Sequence, residues 1–312
     1  MLDTVYSIVV TYNGIKWIEK CISRLLESDY PTHVIVVDNG STDGTVNYIS
    51  ENFGSVEIIE TGKNIGFGQA NNIGLKQAIA GKAGYVFLLN QDAWIEKDTL
   101  AVLLKKHKEN PGFAVISPIH LNGKGTKFDQ NFLRYLSESV IGNFLEDALL
   151  REKPSKDLID TSFVNAAAWL LPVAAVKKTG GFDPIFYHYG EDRNYTQRAL
   201  NAGFKIGICT ETFIHHDREN RVATPHSILK RDQINDLCAL CNIQTAGFKG
   251  VFFRKFLRYF YFAILSAAKL DRAQFSYYLK MLTFLISIAG KVGESRKKSL
   301  KTSGIPHLSA LC

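Results

Sequence analysis

Short, unbroken apolar runs alternate with stretches of helical character along the N-terminal part of the chain. Tyr6-Ser7-Ile8-Val9-Val10 stops at Thr11-Tyr12-Asn13-Gly14, and a helical segment follows over 15–28. Val34-Ile35-Val36-Val37 repeats the pattern and stops at Asp38-Asn39-Gly40-Ser41, with helix signals from Thr42 to Asn52. Val56-Glu57-Ile58-Ile59 and Tyr85-Val86-Phe87-Leu88-Leu89 supply two further strands, with another helix starting near Gly68 between them. Strands that are apolar throughout belong to a sheet covered on both faces, and their alternation with helices predicts a mostly parallel sheet. Polar and glycine-rich residues follow the C-terminal ends of these strands, where open α/β sheets place the ligand crevice.

Farther along, the pattern loosens. Segment 123–160 is polar and weakly periodic, which predicts an acceptor-side loop or short helices. Asn165-Ala166-Ala167-Ala168-Trp169-Leu170-Leu171 returns to the sheet. Phe204-Lys205-Ile206-Gly207-Ile208 is a further strand that closes on Thr212-Phe213-Ile214-His215-His216. Segments 251–270 and 275–288 are helix-length, apolar and aromatic-rich, punctuated by Arg254, Lys255, Arg258 and Lys280. Neither holds the run of about 20 apolar residues that a spanning helix needs. A basic, aromatic helical segment lying in a bilayer interface fits this pattern; two ordinary helices packed on the body are the alternative. The expected division is therefore a globular domain over 1–225 and a C-terminal helical segment over 226–312.

At 312 residues the chain is long enough to bury a full core. Its 37 basic and 30 acidic residues give a net charge of +7, unevenly spread. From Gly247 onward, 12 Lys and Arg face only Asp271 and Glu294, a net +10 that leaves −3 for the residues before it. Such asymmetry points to an anionic surface, membrane or nucleic acid. No RNA- or DNA-recognition motif accompanies the basic tail, so a nucleic-acid partner is not expected. The five cysteines are odd in number and scattered, and Cys238-Ala239-Leu240-Cys241 has no second pair to complete a zinc site. The first residues run straight into a strand without a basic or apolar leader, which reads as a reducing, cytoplasmic location.

The densest candidate chemistry is the aromatic segment 182–192, where Gly190 precedes the adjacent carboxylates Glu191 and Asp192. A second acidic site stands at Asn90-Gln91-Asp92. One such site can hold a divalent metal and the other can take a proton. A fold that joins them can activate a hydroxyl against a metal-bound phosphate ester. At the first strand end, Thr11 and Tyr12 offer a hydroxyl and a ring face to a nucleobase. Asp38 can accept hydrogen bonds from a base or ribose, although Asp38-Asn39-Gly40 also reads as a plain turn. Gly66 and Gly68 permit close backbone approach to a ligand; the same loop can cap the helix that follows.

Taken in order, these pieces resemble the family 2 inverting glycosyltransferases of the GT-A fold, and among them the rhamnosyltransferase-like enzymes of bacterial polysaccharide assembly. The resemblance runs from Tyr6 to His216. It is carried by Ser7–Asn13, Val36–Thr45, Asn64–Gly74, Leu89–Asp92, Gly181–Asp183, Tyr189–Asp192 and Ile214–His216. It implies a Rossmann-like GT-A domain over 1–225. It also implies an inverting hexosyltransferase of cell-surface polysaccharide biosynthesis, moving a sugar from a nucleotide-diphosphate donor to a hydroxyl of a saccharide or lipid-linked acceptor. dTDP-rhamnose is the favoured donor, with UDP-hexoses next.

Carried over residue by residue, the resemblance gives nucleotide-sugar contacts to Thr11, Tyr12, Asn13, Asp38, Asn39, Asn64, Gly66, Gly68, Asn71, Asn90 and Gln91. Asp92 becomes the main carboxylate on Mg2+ or Mn2+, with His215 preferred over His216 to complete the shell. Asp192 takes the proton of the acceptor hydroxyl and Glu191 orients its loop. Two departures stand out: Asn90 replaces the first acid of the Asp-x-Asp motif, and Arg193-Asn194-Tyr195 replaces the usual hydrophobic-Asp-Leu. The basic tail would then rest on the inner face of the plasma membrane, and the oligomeric state is left open. A sugar-phosphate nucleotidyltransferase would need an arginine-bearing loop after the first strand, which Thr11–Gly14 lacks. A non-catalytic, degenerate transferase acting as a scaffold is the other alternative, opposed by the retention of Asp38, Asp92 and Asp192.

Overall fold

The structure, a computed structural model, describes residues 3–136, 138, 140–142, 146, 156–218, 225–245, 247–301 and 304–308. The chain divides into two compact units, Met1–Glu219 with Gly304–Cys312, and Asn220–Ser303.

The first unit runs β1 (Val5–Thr11), α1 (Ile18–Leu26), β2 (His33–Asp38), α2 (Thr45–Asn52), β3 (Glu57–Glu60), α3 (Phe67–Ala80) and β4 (Tyr85–Asn90). It continues through β5 (Ala93–Ile95), α4 (Thr99–Glu109), β6 (Phe113–Asn122), α5 (Gln130–Tyr135) and β7 (Leu158–Thr161). It closes with β8 (Ala168–Pro172), α6 (Val173–Thr179), α7 (Glu191–Asn201) and β9 (Lys205–His216). The strands form one nine-stranded sheet in the order β3-β2-β1-β4-β8-β6-β9-β5, with β7 pairing β9.

Apolar residues of β1, β2 and β4 divide by parity, as a pleated strand requires. Ile8, Val10, Ile35, Val37, Val86 and Leu88 pack in the core shared with Ala70, Leu75 and Ala78 of α3. Val9, Val34, Val36, Phe87 and Leu89 belong to the second core, with Ile18, Cys21, Ile22 and Leu25 of α1 and Leu100, Leu103 and Leu104 of α4. The sheet is therefore covered on both faces, which is why these strands read as unbroken apolar runs.

The sheet is mixed rather than mostly parallel. β1, β2, β3 and β4 pair in parallel, as do β6 and β9. β8 runs antiparallel to both β4 and β6, and β5 and β7 run antiparallel to β9. A strand buried on both faces carries no mark of its direction, so the sequence pattern could not reveal the reversal. Its consequence is positional: Leu89 pairs with Ala168, so the residues just before β8 lie at the C-terminal end of β4.

Segment 123–160 holds α5 and most of β7, while 137, 139, 143–145 and 147–155 lie outside the described residues. The expected tail boundary needs correction at its far end. Residues 304–308 belong to the first unit, where the Pro306 carbonyl accepts the Gly181 N–H at 2.9 Å and Leu308 enters the core. The expected division at 225 falls beside 219–224, which are outside the described residues. Asn72 on α3 anchors the same loop: its Oδ1 accepts the Phe182 N–H at 2.7 Å and its Nδ2 donates to the Phe182 carbonyl at 2.8 Å.

The second unit contains α8 (Pro225–Cys241), α9 (Phe248–Ala268) and α10 (Arg272–Ser299). Two acids of α8 tie it together. Asp236 accepts from Lys255 Nζ at 2.5 Å and Tyr259 Oη at 2.7 Å, and Asp232 accepts from Tyr277 Oη at 2.7 Å. Phe253, Leu257, Phe260, Tyr261 and Ile264 are exposed, and their spacing puts them on one stripe of α9. Among the described residues no helix is long and apolar enough to cross a membrane.

Candidate active site

Parallel pairing brings the strand ends into line: Thr11 lies opposite Asp38 and Val10 opposite Asn90. Gln91 acts as a strut across this rim. Its Oε1 accepts from Thr11 Oγ1 at 2.7 Å and from the Tyr12 N–H at 2.9 Å, and its Nε2 donates to the Tyr12 carbonyl at 3.2 Å. The Asp38 carboxylate is buried and accepts the Gly40 and Ser41 N–H groups, each at 3.0 Å. Asn13 Oδ1 takes the Thr42 N–H at 2.8 Å. Asn39 Oδ1 takes the Ile65 N–H at 2.8 Å and its Nδ2 donates to Asn64 Oδ1 at 3.1 Å. These residues stand at one rim, where several of them spend their side chains shaping the loops. Tyr12 is exposed there, and Asn71 is buried inside α3 with its Nδ2 on the Phe67 carbonyl at 3.0 Å.

The loop that opens α3 meets the loop that opens α7. Gly66 has φ 89°, and a side chain on it would collide with the Tyr187 carbonyl oxygen. A Cβ at Gly68 would lie 2.9 Å from Phe182 Cβ and 3.4 Å from Glu191 Cβ. Tyr187 Oη closes the seam by donating to the Asn64 carbonyl at 3.1 Å.

At the end of β4, Asp92 Oδ1 lies 3.2 Å from Nε2 of His216. His215, the histidine expected beside a metal, points elsewhere: its Nε2 meets Glu96 Oε1 at 2.8 Å and its ring stacks on Trp94. The physical reason is strand alternation, since Ala93 pairs with His216 and Trp94 with His215. Asn90 Oδ1 is buried without a hydrogen-bond partner. Burial pushes the Asp92 carboxyl up, but the His216 hydrogen bond and the charges of His216 and Arg218 outweigh it and hold the group below the usual aspartate range. No group of three or more His, Cys, Asp or Glu is assembled for a metal among the described residues. An imidazole, a carboxylate and an orphaned amide oxygen nonetheless suit a hard cation that draws its remaining ligands from phosphate and water.

Glu191 and Asp192 begin α7 behind Gly190, whose φ is 91°. Asp192 is partly exposed and accepts the Arg193 N–H at 2.7 Å. Burial pushes its carboxyl up, and the Arg193 and Ala166 N–H groups and the charges of Arg193 and Arg218 only partly offset this, so it stays above the usual aspartate range. Glu191 is buried with its Oε2 unpartnered, and burial together with the neighbouring Asp192 charge drives it well above the glutamate range. One three-residue loop connects the two acidic sites. Ala167 accepts the Asn90 N–H through its carbonyl at 2.9 Å, while the Ala166 N–H favours the ionised form of the Asp192 carboxylate.

A sequence model of Glycosyl transferase family 2 matches residues 7–180, more than half of the chain. The chain belongs to that family. It is a rhamnosyltransferase-like hexosyltransferase with the GT-A fold. Over 249 residues it is 25% identical to the N-acetylglucosaminyl-diphospho-decaprenol L-rhamnosyltransferase of Mycobacterium tuberculosis, covering 73% of this chain and 81% of that one. It is 28% identical to the O-antigen chain rhamnosyltransferase WbaN of Salmonella anatum, covering 67% and 64%. The fold also matches the mannosyltransferase PcManGT from Pyrobaculum calidifontis in complex with GDP-Man and Mn2+. The TM-score there is 0.55 at 17% identity, over 97% of this chain and 88% of that one.

Two groups of this glycosyltransferase escaped the sequence reading. Asp129, buried at the start of α5, lies 3.8 Å from Nδ1 of His216. Arg218, just past β9, lies 3.7 Å from the same carboxylate and 3.2 Å from both ring nitrogens of His216. Asp129 sits in the loosely patterned middle of the chain, where no local signal marks it. The run His215-His216-Asp217-Arg218 was visible, but only the fold turns its arginine inward.

The Glu191 shift has a stability consequence with a definite sign. Its folded carboxyl titrates above its unfolded value, so its contribution is fully present below the ordinary glutamate range. It is lost as pH rises through the folded value. Glu191→Gln should therefore gain on the wild type in melting temperature between about pH 5 and about pH 8. A difference that stays constant across that range would show Glu191 to be ionised throughout.

Proposed function

We propose that the protein transfers a hexose from a nucleotide-diphosphate donor to a hydroxyl of a saccharide or lipid-linked acceptor, with inversion, in cell-surface polysaccharide assembly. dTDP-rhamnose is the first donor to test, because both reported relatives are rhamnosyltransferases, and UDP-hexoses are next. The observation that carries the reading is the Asn165–Ala167 loop, which bonds to Asn90 on the nucleotide side and whose Ala166 N–H favours the ionised Asp192 on the acceptor side. A donor sugar between those sites would present its anomeric carbon to a hydroxyl held at Asp192.

In this reading Thr11, Tyr12, Asn13, Asp38 and Asn39 form the nucleoside end of the crevice, and the Asn64–Gly68 loop forms its wall. The raised Glu191 keeps its proton at neutral pH, which leaves Asp192 as the ionised member of the pair. Asp192 accepts the proton of the acceptor hydroxyl as that oxygen bonds to the anomeric carbon. The bond to the nucleoside diphosphate breaks on the opposite face, so the configuration inverts. Asp92 and His216, with the amide oxygen of Asn90, would hold Mg2+ or Mn2+. Bound there, the ion supplies Lewis-acid neutralisation of the diphosphate.

We further propose that residues 1–225 are the transferase domain and that the helices beyond them rest on the cytoplasmic face of an anionic membrane, where a lipid-linked acceptor would be found. The support is the exposed stripe of α9 beside Arg254 and Arg258, both exposed. Lys255, which the sequence pattern groups with them, is instead engaged with the buried Asp236.

Three outcomes follow. Asp192→Asn should keep nucleotide-sugar binding and lose about a hundredfold or more in turnover, measured as nucleoside diphosphate released with a saccharide acceptor. A variant keeping a third of wild-type transfer would remove Asp192 from the base role, and a wild type that binds donors without any release would favour the scaffold. His216→Ala should abolish the Mn2+-dependent gain in nucleoside diphosphate affinity by calorimetry, whereas His215→Ala should keep it; the reverse result would restore His215 as the ligand. Replacing Arg254 and Arg258 with Glu should lower co-sedimentation with anionic vesicles and spare nucleotide binding, since each basic residue near such a surface contributes about 1 kcal/mol. Equal recovery of both proteins on anionic and neutral vesicles would defeat the electrostatic docking.

A further inference from the structure

The proposed transfer leaves a nucleoside diphosphate with more negative charge than the donor carried, in a site whose metal loop has one carboxylate rather than two. Arg218 is placed to meet that charge. Its backbone neighbours are fixed: the Asp217 N–H donates to the Asp92 carbonyl at 2.8 Å, and Asp217 Oδ2 accepts from Trp17 Nε1 at 2.9 Å. Its guanidinium is gripped from one side only, Nε lying against His216 and the Asp129 carboxylate. The two terminal nitrogens make no hydrogen bond with the described residues, and the side chain is 27% exposed.

The His216 ring ties Arg218 to the metal loop, since Nε2 of that imidazole also lies 3.2 Å from Asp92 Oδ1. Arg218 therefore stands beside the loop proposed to hold the diphosphate, and its charge also bears on Asp192. A guanidinium held at Nε presents its far edge as a planar pair of donors, the geometry that suits two oxygens of a phosphate. Asp129 does not consume the cation, because the carboxylate stands 3.7 Å from Nε.

We propose that Arg218 binds the diphosphate of the donor through its terminal nitrogens and stabilises the nucleoside diphosphate as it departs. It would be a protein-borne cation beside a metal site in which Asn90 has replaced a carboxylate. This role rests on the transferase reading and assigns to Arg218 a part that the family resemblance did not supply. Asp129 becomes its positioning residue, fixing the Nε edge so that the other edge faces the ligand.

The test uses the full chain and titrates UDP and dTDP against UMP and dTMP by calorimetry, first in EDTA and then with Mn2+. In EDTA the wild type should prefer diphosphate to monophosphate. Arg218→Gln should lose about tenfold or more in diphosphate affinity, the scale of one charge-assisted contact. Its monophosphate affinity should stay within about twofold, and Arg218→Lys should recover part of the preference. Unchanged diphosphate affinity in Arg218→Gln would overturn the proposal. So would an equal loss for monophosphate and diphosphate, because that result marks damage relayed through His216 and Asp129. A wild type that binds none of the four nucleotides would instead overturn the transferase reading, and this proposal with it.

Discussion

The relation between the nucleotide crevice and the acid pair depends on one close approach of backbone to backbone. The loop that opens α3 touches the loop that opens α7 at Gly66 and Gly68, where the Tyr187 carbonyl, Phe182 and Glu191 leave no room for side chains. Asn72, one turn farther along α3, holds Phe182 by both its N–H and its carbonyl. A buried amide that satisfies two backbone groups fixes both position and register, because displacing it would strand every partner. The residues at 304–308 brace the same corner from behind through Pro306 and Gly181. Asp192 thus takes its place from packing that lies around it, and its own few hydrogen bonds only set the final orientation.

Charge is arranged around that corner with little margin. Asp92, Asp129 and Asp192 supply negative groups, with Arg218 reaching all three and His216 lying between the first two. Glu191 beside them is the group that gives up its charge, since burial and the neighbouring Asp192 both favour the protonated form. Two adjacent carboxyls with different surroundings thereby differ in how readily they ionise, and on the proposed mechanism this separates the proton acceptor from its neighbour. Replacing the first acid of the metal loop by Asn90 fits this balance. A further carboxylate there would add negative charge to a site proposed to receive a diphosphate.

Much of the crevice was legible because its signals are local. An apolar, β-branched run ending in Thr11-Tyr12-Asn13-Gly14 or Asp38-Asn39-Gly40-Ser41 states both the strand and the place where it stops. Direction and face are not local properties. β8 reads as an apolar strand whichever way it runs, so the mixed character of the sheet came only from its pairing with β4 and β6. The choice between His215 and His216 had the same origin. A shift of one residue moves a side chain to the opposite face of a strand, and the pairing of β5 with β9 decides it. Asp129 and Arg218 are far apart in sequence and adjacent in space, and neither stretch has a pattern that anticipates the contact.

The second unit inverts the ordinary division of a helical surface. A helix of a water-soluble bundle turns its polar face outward and its apolar stripe inward. In α9 the polar groups Lys255 and Tyr259 are engaged by Asp236 of α8. Phe253, Leu257, Phe260, Tyr261 and Ile264 face out, each at least half exposed. Keeping such a stripe in water forgoes about 25 cal/mol for every Å2 of apolar area left uncovered. A contiguous patch of this kind marks a surface that another apolar phase covers. The exposed arginines along it and the +10 charge of the chain from Gly247 onward are the features on which the proposed docking rests. On that proposal an anionic bilayer would answer the apolar stripe and the charge at once, whereas an ordinary protein partner would need an acidic rim around an aromatic groove to do the same.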